Sequence, residues 1–239
     1  MFSFLKNRPK NTGTLLTTDI HSHLLAGLDD GVKSFNEAEE VIRVFQDMGY
    51  TKLITTPHIM SDYYKNNSAT ILKGLDEVRN YLVGKMNIRM EAAAEYYLDE
   101  ELIRRTESPE QLLTFGQRYL LFETNFISEP LHLKEFIFKA TSSGYKPVLA
   151  HPERYQYMTL KKAEDLRDRG VLFQVNSLSL IGYYSLPVQR IAYKLIDQGW
   201  VDFLGSDCHT PEQARILPMV QKNKYFQKAL ALPLLNHFL

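Results

Sequence analysis

The chain has 239 residues, enough to bury a substantial core, and α/β barrels of about this size commonly form one domain. Its 28 basic and 28 acidic residues cancel, which leaves no global field to recruit nucleic acid or an acidic membrane. A lone cysteine, Cys208, excludes an intramolecular disulfide, and no run is apolar enough for a signal peptide or a bilayer span, so a cytoplasmic protein is expected.

Residues 1–14, opening MFSFLKNRPK, read as a mobile lead-in, with Phe2, Phe4 and Leu5 as a minority candidate for membrane-surface contact; residues 15–239 read as a single domain. The first strand candidate, LLTTDIHSH (15–23), ends in His21 and His23. Side chains two apart on an extended strand face the same way, so both imidazoles could reach one ion while Ser22 points opposite. Asp19 shares that face at a deeper level and is expected to orient a histidine. Asp30 follows through a loop bent by Gly27 and Gly31, and an ordinary turn aspartate is the competing reading. SFNEAEEVIRVFQDMG is a helix pattern with Ser34 as N-cap, Glu37 completing a capping box and Gly49 as the stop.

The second strand candidate, KLITTPH (52–58), delivers His58, and a helix is expected near 69–83. The third, IRMEAAAEYYL (88–98), delivers Glu95, although MEAAAEYYLDEEL reads equally as helix, and residues 98–118 are irregular. YLLFETN (119–125) brings Glu123, and a helix near 131–143 leads to KPVLAHP (146–152) with His151. The segment continues as HPERY, placing Glu153 and Arg154 close behind. After a helix near 160–169 comes LFQVNS (172–177), to which no site residue is assigned, and a helix near 187–198. DFLGSDCH (202–209) ends in Asp207 and His209, with Cys208 facing away as a packed thiol. His132 and His237 lie off the strand ends and read as ordinary. The apolar C-terminus, YFQKALALPLLNHFL, reads as cover for the outside or base, with a subunit contact as the minority reading.

Strand and helix alternation favours a mainly parallel sheet, and seven such units suggest a barrel whose C-terminal strand ends share one mouth. An open doubly wound sheet is the alternative, although no glycine-rich nucleotide-binding turn follows the first strand. Imidazoles and carboxylates crowded into one mouth are electrostatically awkward unless divalent cations sit among them. Without thiolates they suit manganese, iron or zinc, and the ligand list implies two or three ions. Arg154 offers a planar fork matching phosphate oxygens; Arg215 is a weaker second candidate that also reads as a helix-surface residue.

With these residues assembled, the chain resembles the polymerase-and-histidinol-phosphatase (PHP) superfamily. More narrowly, it is similar to the bacterial manganese-dependent protein-tyrosine phosphatases of capsule and exopolysaccharide systems. DIHSHLLAGLDDG, TTPH, AAAEYYL, LLFET, LAHPERY and LGSDCH stand in family order from about 17 to 215. The resemblance implies an α/β fold, a distorted seven-stranded TIM-like barrel, and a trinuclear centre held by His21, His23, Asp30, His58, Glu95, Glu123, His151, Asp207 and His209, with Arg154 on phosphate. Arg215 sits off the family pattern. It also implies, as partner, the tyrosine-rich tail of a membrane-associated bacterial tyrosine kinase, with transient presence at the inner membrane through that partner.

The expected chemistry is phosphomonoester hydrolysis by direct attack of a metal-activated hydroxide, and Cys208 is not followed by the arginine of a Cys-x5-Arg phosphatase loop. A phenol leaves far more readily than an alkyl alcohol, which makes phosphotyrosine chemically easy. The rivals are a small-molecule phosphatase such as a histidinol-phosphatase, an amidohydrolase, a nuclease, and a catalytically silent regulator. Glu123 stands where an amidohydrolase commonly carries its bridging lysine, and neutral charge argues against a nuclease.

Overall fold

A computed structural model describes residues 15–239; the expected lead-in at 1–14, with Phe2, Phe4 and Leu5, lies outside the described residues. In chain order the elements are β1 (Thr18–Asp19), α1 (Phe35–Asp47), β2 (Lys52–Thr55), β3 (His58–Ile59), α2 (Ser68–Leu82), β4 (Arg89–Ala92), β5 (Glu95–Tyr97), α3 (Glu100–Arg105) and β6 (Tyr119–Glu123). There follow α4 (Leu133–Ser142), β7 (Lys146–Ala150), α5 (Leu160–Asp168), β8 (Leu172–Asn176), α6 (Leu186–Asp197), β9 (Phe203–Gly205), α7 (Pro211–Ile216) and α8 (Lys224–Leu230).

The fold is α/β with every strand pair parallel, but the ladders do not form the expected seven-stranded barrel. Among the described residues nine strands divide into two sheets, ordered β1-β2-β4 and β3-β5-β6-β7-β8-β9. Two segments read as continuous strands are interrupted, by Thr56-Pro57 between β2 and β3 and by Ala93-Ala94 between β4 and β5. Pro57 has no N–H to donate, so the ladder is weakest where it stands. Both chains cross from one sheet to the other side by side, because Ala93 N donates to Thr55 O (2.9 Å) and Glu95 N to Pro57 O (3.2 Å). The outer edges approach through a single parallel bridge, Ser22 with Cys208, rather than through a ladder. His23 N donates there to Cys208 O (2.9 Å) and Asp207 N to His21 O (2.8 Å), which ties the first strand end to the last. Asp207 has φ +53, so the chain leaves extended conformation just where more pairing would be needed.

Local chemistry accounts for the helices. Ser34 Oγ accepts from Glu37 N (3.3 Å) at the start of α1, while the Glu37 carboxylate accepts from Lys33 N (2.8 Å) instead of completing the reciprocal arm on Ser34. The ambiguous MEAAAEYYLDEEL resolves as strand up to Tyr97, and Asp99, accepting from Leu102 N, then starts α3. Ala38, Val41, Ile42 and Phe45 form the buried face of α1, each large side chain contributing about 1.5–3 kcal/mol.

Two apolar clusters result, a large one between the helices and the sheets and a small inner one containing Ile20, Ile54, Ala93, Leu121, Val148, Ala150 and Phe203. Glu95 and Glu123 lie two residues beyond Ala93 and Leu121, so the inner apolar layer floors the polar groups above it. Among the described residues no helix is long and apolar enough to cross a membrane.

Candidate metal centre

Five imidazoles and four carboxylates meet at one side of the sheets, although His58 and Glu95 open β3 and β5 instead of closing the second and third expected strands. His21 and His23, two and four residues beyond β1, have ring centroids 5.4 Å apart and their Nε2 atoms 3.3 Å apart. Glu95, fully buried on β5, places Oε2 3.1 Å from His21 Nε2, 3.4 Å from His23 Nε2 and 3.3 Å from His58 Nδ1, and Oε1 3.1 Å from His151 Nε2. Asp207 Oδ1 lies 3.3 and 3.5 Å from the same two Nε2 atoms of His21 and His23. Glu123 reaches His58 Nδ1 at 3.2 Å, and Asp30, 52% exposed at its side chain, lies 3.5 Å from both His58 Nε2 and His209 Nε2.

These donors form three overlapping groups that could each hold a cation: His23, Asp30, His58 and His209; His21, His23, Glu95 and Asp207; and His58, Glu95 and Glu123. His151 stands outside the groups but touches Glu95. His151 and Asp207 both have positive φ, +34 and +53, in the region that favours glycine, and such backbone outliers concentrate at functional sites.

Whether cations fit is decided by the tautomers. His21 Nδ1 donates to Gln174 Oε1 (2.8 Å), His23 Nδ1 to Asp29 Oδ2 (2.7 Å) and His209 Nδ1 to Asp207 O (2.9 Å), which leaves three Nε2 atoms aimed at the cluster. His58 Nδ1 is buried without a hydrogen-bond partner although carboxylate oxygens of Glu95 and Glu123 flank it at 3.3 and 3.2 Å. A nitrogen so placed beside two carboxylates is satisfied by a proton or by a cation shared with them. The donor set, without thiolate, suits hard and borderline divalent ions.

Burial disfavours the imidazolium of His21, but Glu95 and Asp207 outweigh it and push the pKa up to about 9; Asp29 does the same for His23, which rises well above its ordinary value. Burial likewise disfavours the Glu95 carboxylate, yet His21 and His58 hold its pKa well below the usual range. An imidazole ligates only in its neutral form, so loading with a divalent cation at pH 7 is expected to release protons, a net number above zero per chain. Calorimetric titration in buffers of differing ionisation enthalpy reads that number directly, and a buffer-independent heat would contradict it.

Several side chains that orient the cluster are not among the expected site residues. Asp29 accepts from His23 Nδ1, from Gly31 N (2.9 Å) and from His58 N (3.0 Å), while its neighbour Asp30 faces the mouth. Gly31 lies so close that a Cβ there would come within 2.2 Å of His23 O. On β8, Gln174 accepts from His21 Nδ1 and from His151 N (3.2 Å) and donates to Asn176 Oδ1 (2.8 Å), and Asn176 Nδ2 donates to Asp207 Oδ2 (2.7 Å). Two polar side chains at spacing two on an otherwise apolar strand were a readable signal. Gln174→Leu is expected to weaken metal retention about 10- to 100-fold, by loss of the His21 acceptor. Competition against a graded chelator series measures it; unchanged retention would remove Gln174 from this role.

Asp19, expected to orient a histidine, instead accepts from Ser206 N (2.8 Å) and Ser206 Oγ (2.9 Å), and it acts on the backbone between the outer edges. Burial, offset only in part by those Ser206 bonds, pushes its pKa up to about 7. Cys208 is packed in the large core, and burial pushes its thiol up, out of reach as a nucleophile. Arg154 Nη1 donates to Asp207 Oδ2 (2.8 Å), and the guanidinium lies between the rings of Phe126 (4.8 Å) and Tyr184 (4.4 Å). Arg215 is not placed with it: in the last turn of α7 its guanidinium pairs with Glu40 and Glu212, neither of which belongs to the cluster. The surface reading of Arg215 is the one the structure adopts, because α7 turns that face toward α1.

The chain has relatives among known proteins. A family model described as "Capsular polysaccharide synthesis, CpsB/CapC" matches residues 17–235. CapC of Staphylococcus aureus is 29% identical over 195 residues, covering 80% of this chain and 76% of CapC. The tyrosine-protein phosphatase YwqE of Bacillus subtilis is 27% identical over 199 residues, covering 80% and 76%. A structure solved in work on YwqE and Streptococcus pneumoniae CpsB, described as unique metal-dependent tyrosine phosphatases, superposes with TM-score 0.78 and 25% identity over 89% of this chain and 84% of that one.

Proposed function

We propose, for a chain that belongs to the CpsB/CapC family of capsular polysaccharide synthesis, that it is a metal-dependent phosphatase acting on phosphotyrosine in proteins. The observation that carries the reading is the convergence of eight candidate ligand side chains in three overlapping groups, with His151 beside them on Glu95 and Arg154 held at their edge on Asp207. The ligands are read as His21, His23, Asp30, His58, Glu95, Glu123, His151, Asp207 and His209, holding two or three ions, manganese in preference to iron or zinc. When bound, such cations supply Lewis acidity and lower the pKa of a coordinated water to about 7.

The chain's own residues then divide the work. Arg154, its fork fixed by Asp207 and its plane by two aromatic rings, binds phosphate oxygens and balances their charge. Asp29, Gln174 and the Asp207 carbonyl accept hydrogen bonds from the Nδ1–H groups of His23, His21 and His209 and so keep Nε2 available for ligation. Asp30, half-exposed at the mouth, lies where an entering substrate first meets the cluster. A phenolate, with a conjugate-acid pKa of about 10, leaves with little proton assistance, which suits phosphotyrosine as the substrate.

The partner is read as the tyrosine-rich tail of a membrane-associated bacterial tyrosine kinase, with the enzyme in the cytoplasm and residues 15–239 as one domain. The two sheets together are read as one distorted seven-stranded wall, β2 running on into β3 and β4 into β5. The test is hydrolysis of a phosphotyrosine peptide by protein stripped with chelator and then reloaded with manganese. Activity is expected to vanish and return. Greater turnover of histidinol phosphate than of the peptide, or none of either with metal bound, would overturn the reading.

A further inference from the structure

Phe126 has a place that the chemistry above does not use. It stands three residues beyond Glu123 in the connection from β6 to α4, and 36% of its surface is exposed. Its ring is nevertheless held on three sides: stacked on the His151 imidazole (centroids 5.6 Å, planes 19° apart), packed on Tyr155 (5.4 Å) and set against the Arg154 guanidinium (4.8 Å). Its backbone is equally fixed, since Phe126 O accepts from Gln156 N (2.8 Å) and Asn125 Oδ1 accepts from Ile127 N (2.8 Å) and Ser128 N (3.2 Å). A rigid aromatic surface with few rotatable bonds loses little entropy when a ligand covers it.

The neighbouring aromatic on the other side of Arg154 is already committed. Tyr184 has its hydroxyl bonded to Asn176 Nδ2 (3.1 Å) and Asp207 Oδ2 (3.4 Å), so its ring serves the arginine and the cluster. Phe126 carries no polar atom to commit and keeps free surface directly beside the phosphate-binding guanidinium. The exposed face of Phe126 is thus the free aromatic surface adjoining that guanidinium, 4.8 Å from it.

We propose that Phe126 is a specificity-determining residue, the platform against which the aryl ring of a phosphotyrosine leaving group packs. The proposal rests on the phosphotyrosine reading of the site. Aromatic pairing is worth about a two- to tenfold change in binding. In Phe126→Ala the ratio of the KM for a phosphotyrosine peptide to the inhibition constant for inorganic phosphate is expected to rise by about that factor, with Phe126→Trp restoring it and Phe126→Leu failing to. Phosphate reports the anion site alone, so a parallel rise in both constants would mean that the ring merely props Arg154 and His151, and would overturn the proposal. So would an unchanged ratio, or restoration by leucine as complete as by tryptophan. Failure of the phosphotyrosine reading shows separately, as wild-type protein that does not turn over the peptide while hydrolysing another phosphomonoester, and it would remove this inference as well.

Discussion

Glu95→Gln is expected to lower kcat for phosphotyrosine-peptide hydrolysis by at least about a thousandfold, equivalent to about 4 kcal/mol of lost transition-state stabilisation. Glu95 is buried, belongs to two of the three donor groups and approaches His21, His23, His58 and His151 within 3.1–3.4 Å. Glutamine preserves the shape but removes the charge and turns an N–H toward nitrogens that must stay free for a cation. Metal content should therefore fall together with activity, while far-ultraviolet circular dichroism stays native. Elemental analysis of the purified variant, paired with the assay, decides it. A variant that keeps its metal and works within tenfold of the parent would show that Glu95 does not bridge the centre.

Arg154→Met is the second large effect, expected to lower kcat/KM about 100- to 1000-fold while leaving metal content intact. Methionine retains much of the length and the contact with Phe126 and Tyr184, so the loss isolates the guanidinium charge and its donors. Asp207 keeps Asn176, His21 and His23 as neighbours, which protects the fold from an unpaired buried carboxylate. Arg154→Lys is expected to recover little, because an ammonium can neither stack between the two rings nor present a planar fork. Inhibition by inorganic phosphate should weaken in parallel with kcat/KM. Unchanged phosphate inhibition would remove Arg154 from the anion site.

The two effects differ in how much of them the sequence announces. Histidines and acids recurring at the ends of apolar, β-rich runs are legible, because parallel strands joined by helices must deliver their C-terminal ends to one side. The pair His21 and His23 is legible for the same local reason, a side-chain period of two. Asp29 and Asp30 are not separable on that basis: both lie in a loop, and only the fold shows one accepting from His23 and the other facing the mouth. Arg215 is misassigned because an arginine downstream of a ligand strand looks the same whether its helix faces the site or α1.

Sequence alone therefore determined the donor types, their attachment to strand ends and the alternation of strand and helix, all of which follow from periodicities spanning only a few residues. The tertiary structure decided the rest: where the ladders break at Pro57 and Ala93, how Ser22 meets Cys208, and which partners β8 supplies to His21 and Asp207. Those outcomes depend on the register between segments far apart along the chain. Register is settled by the summed packing of both faces of every strand and is not written in the local pattern of any one of them.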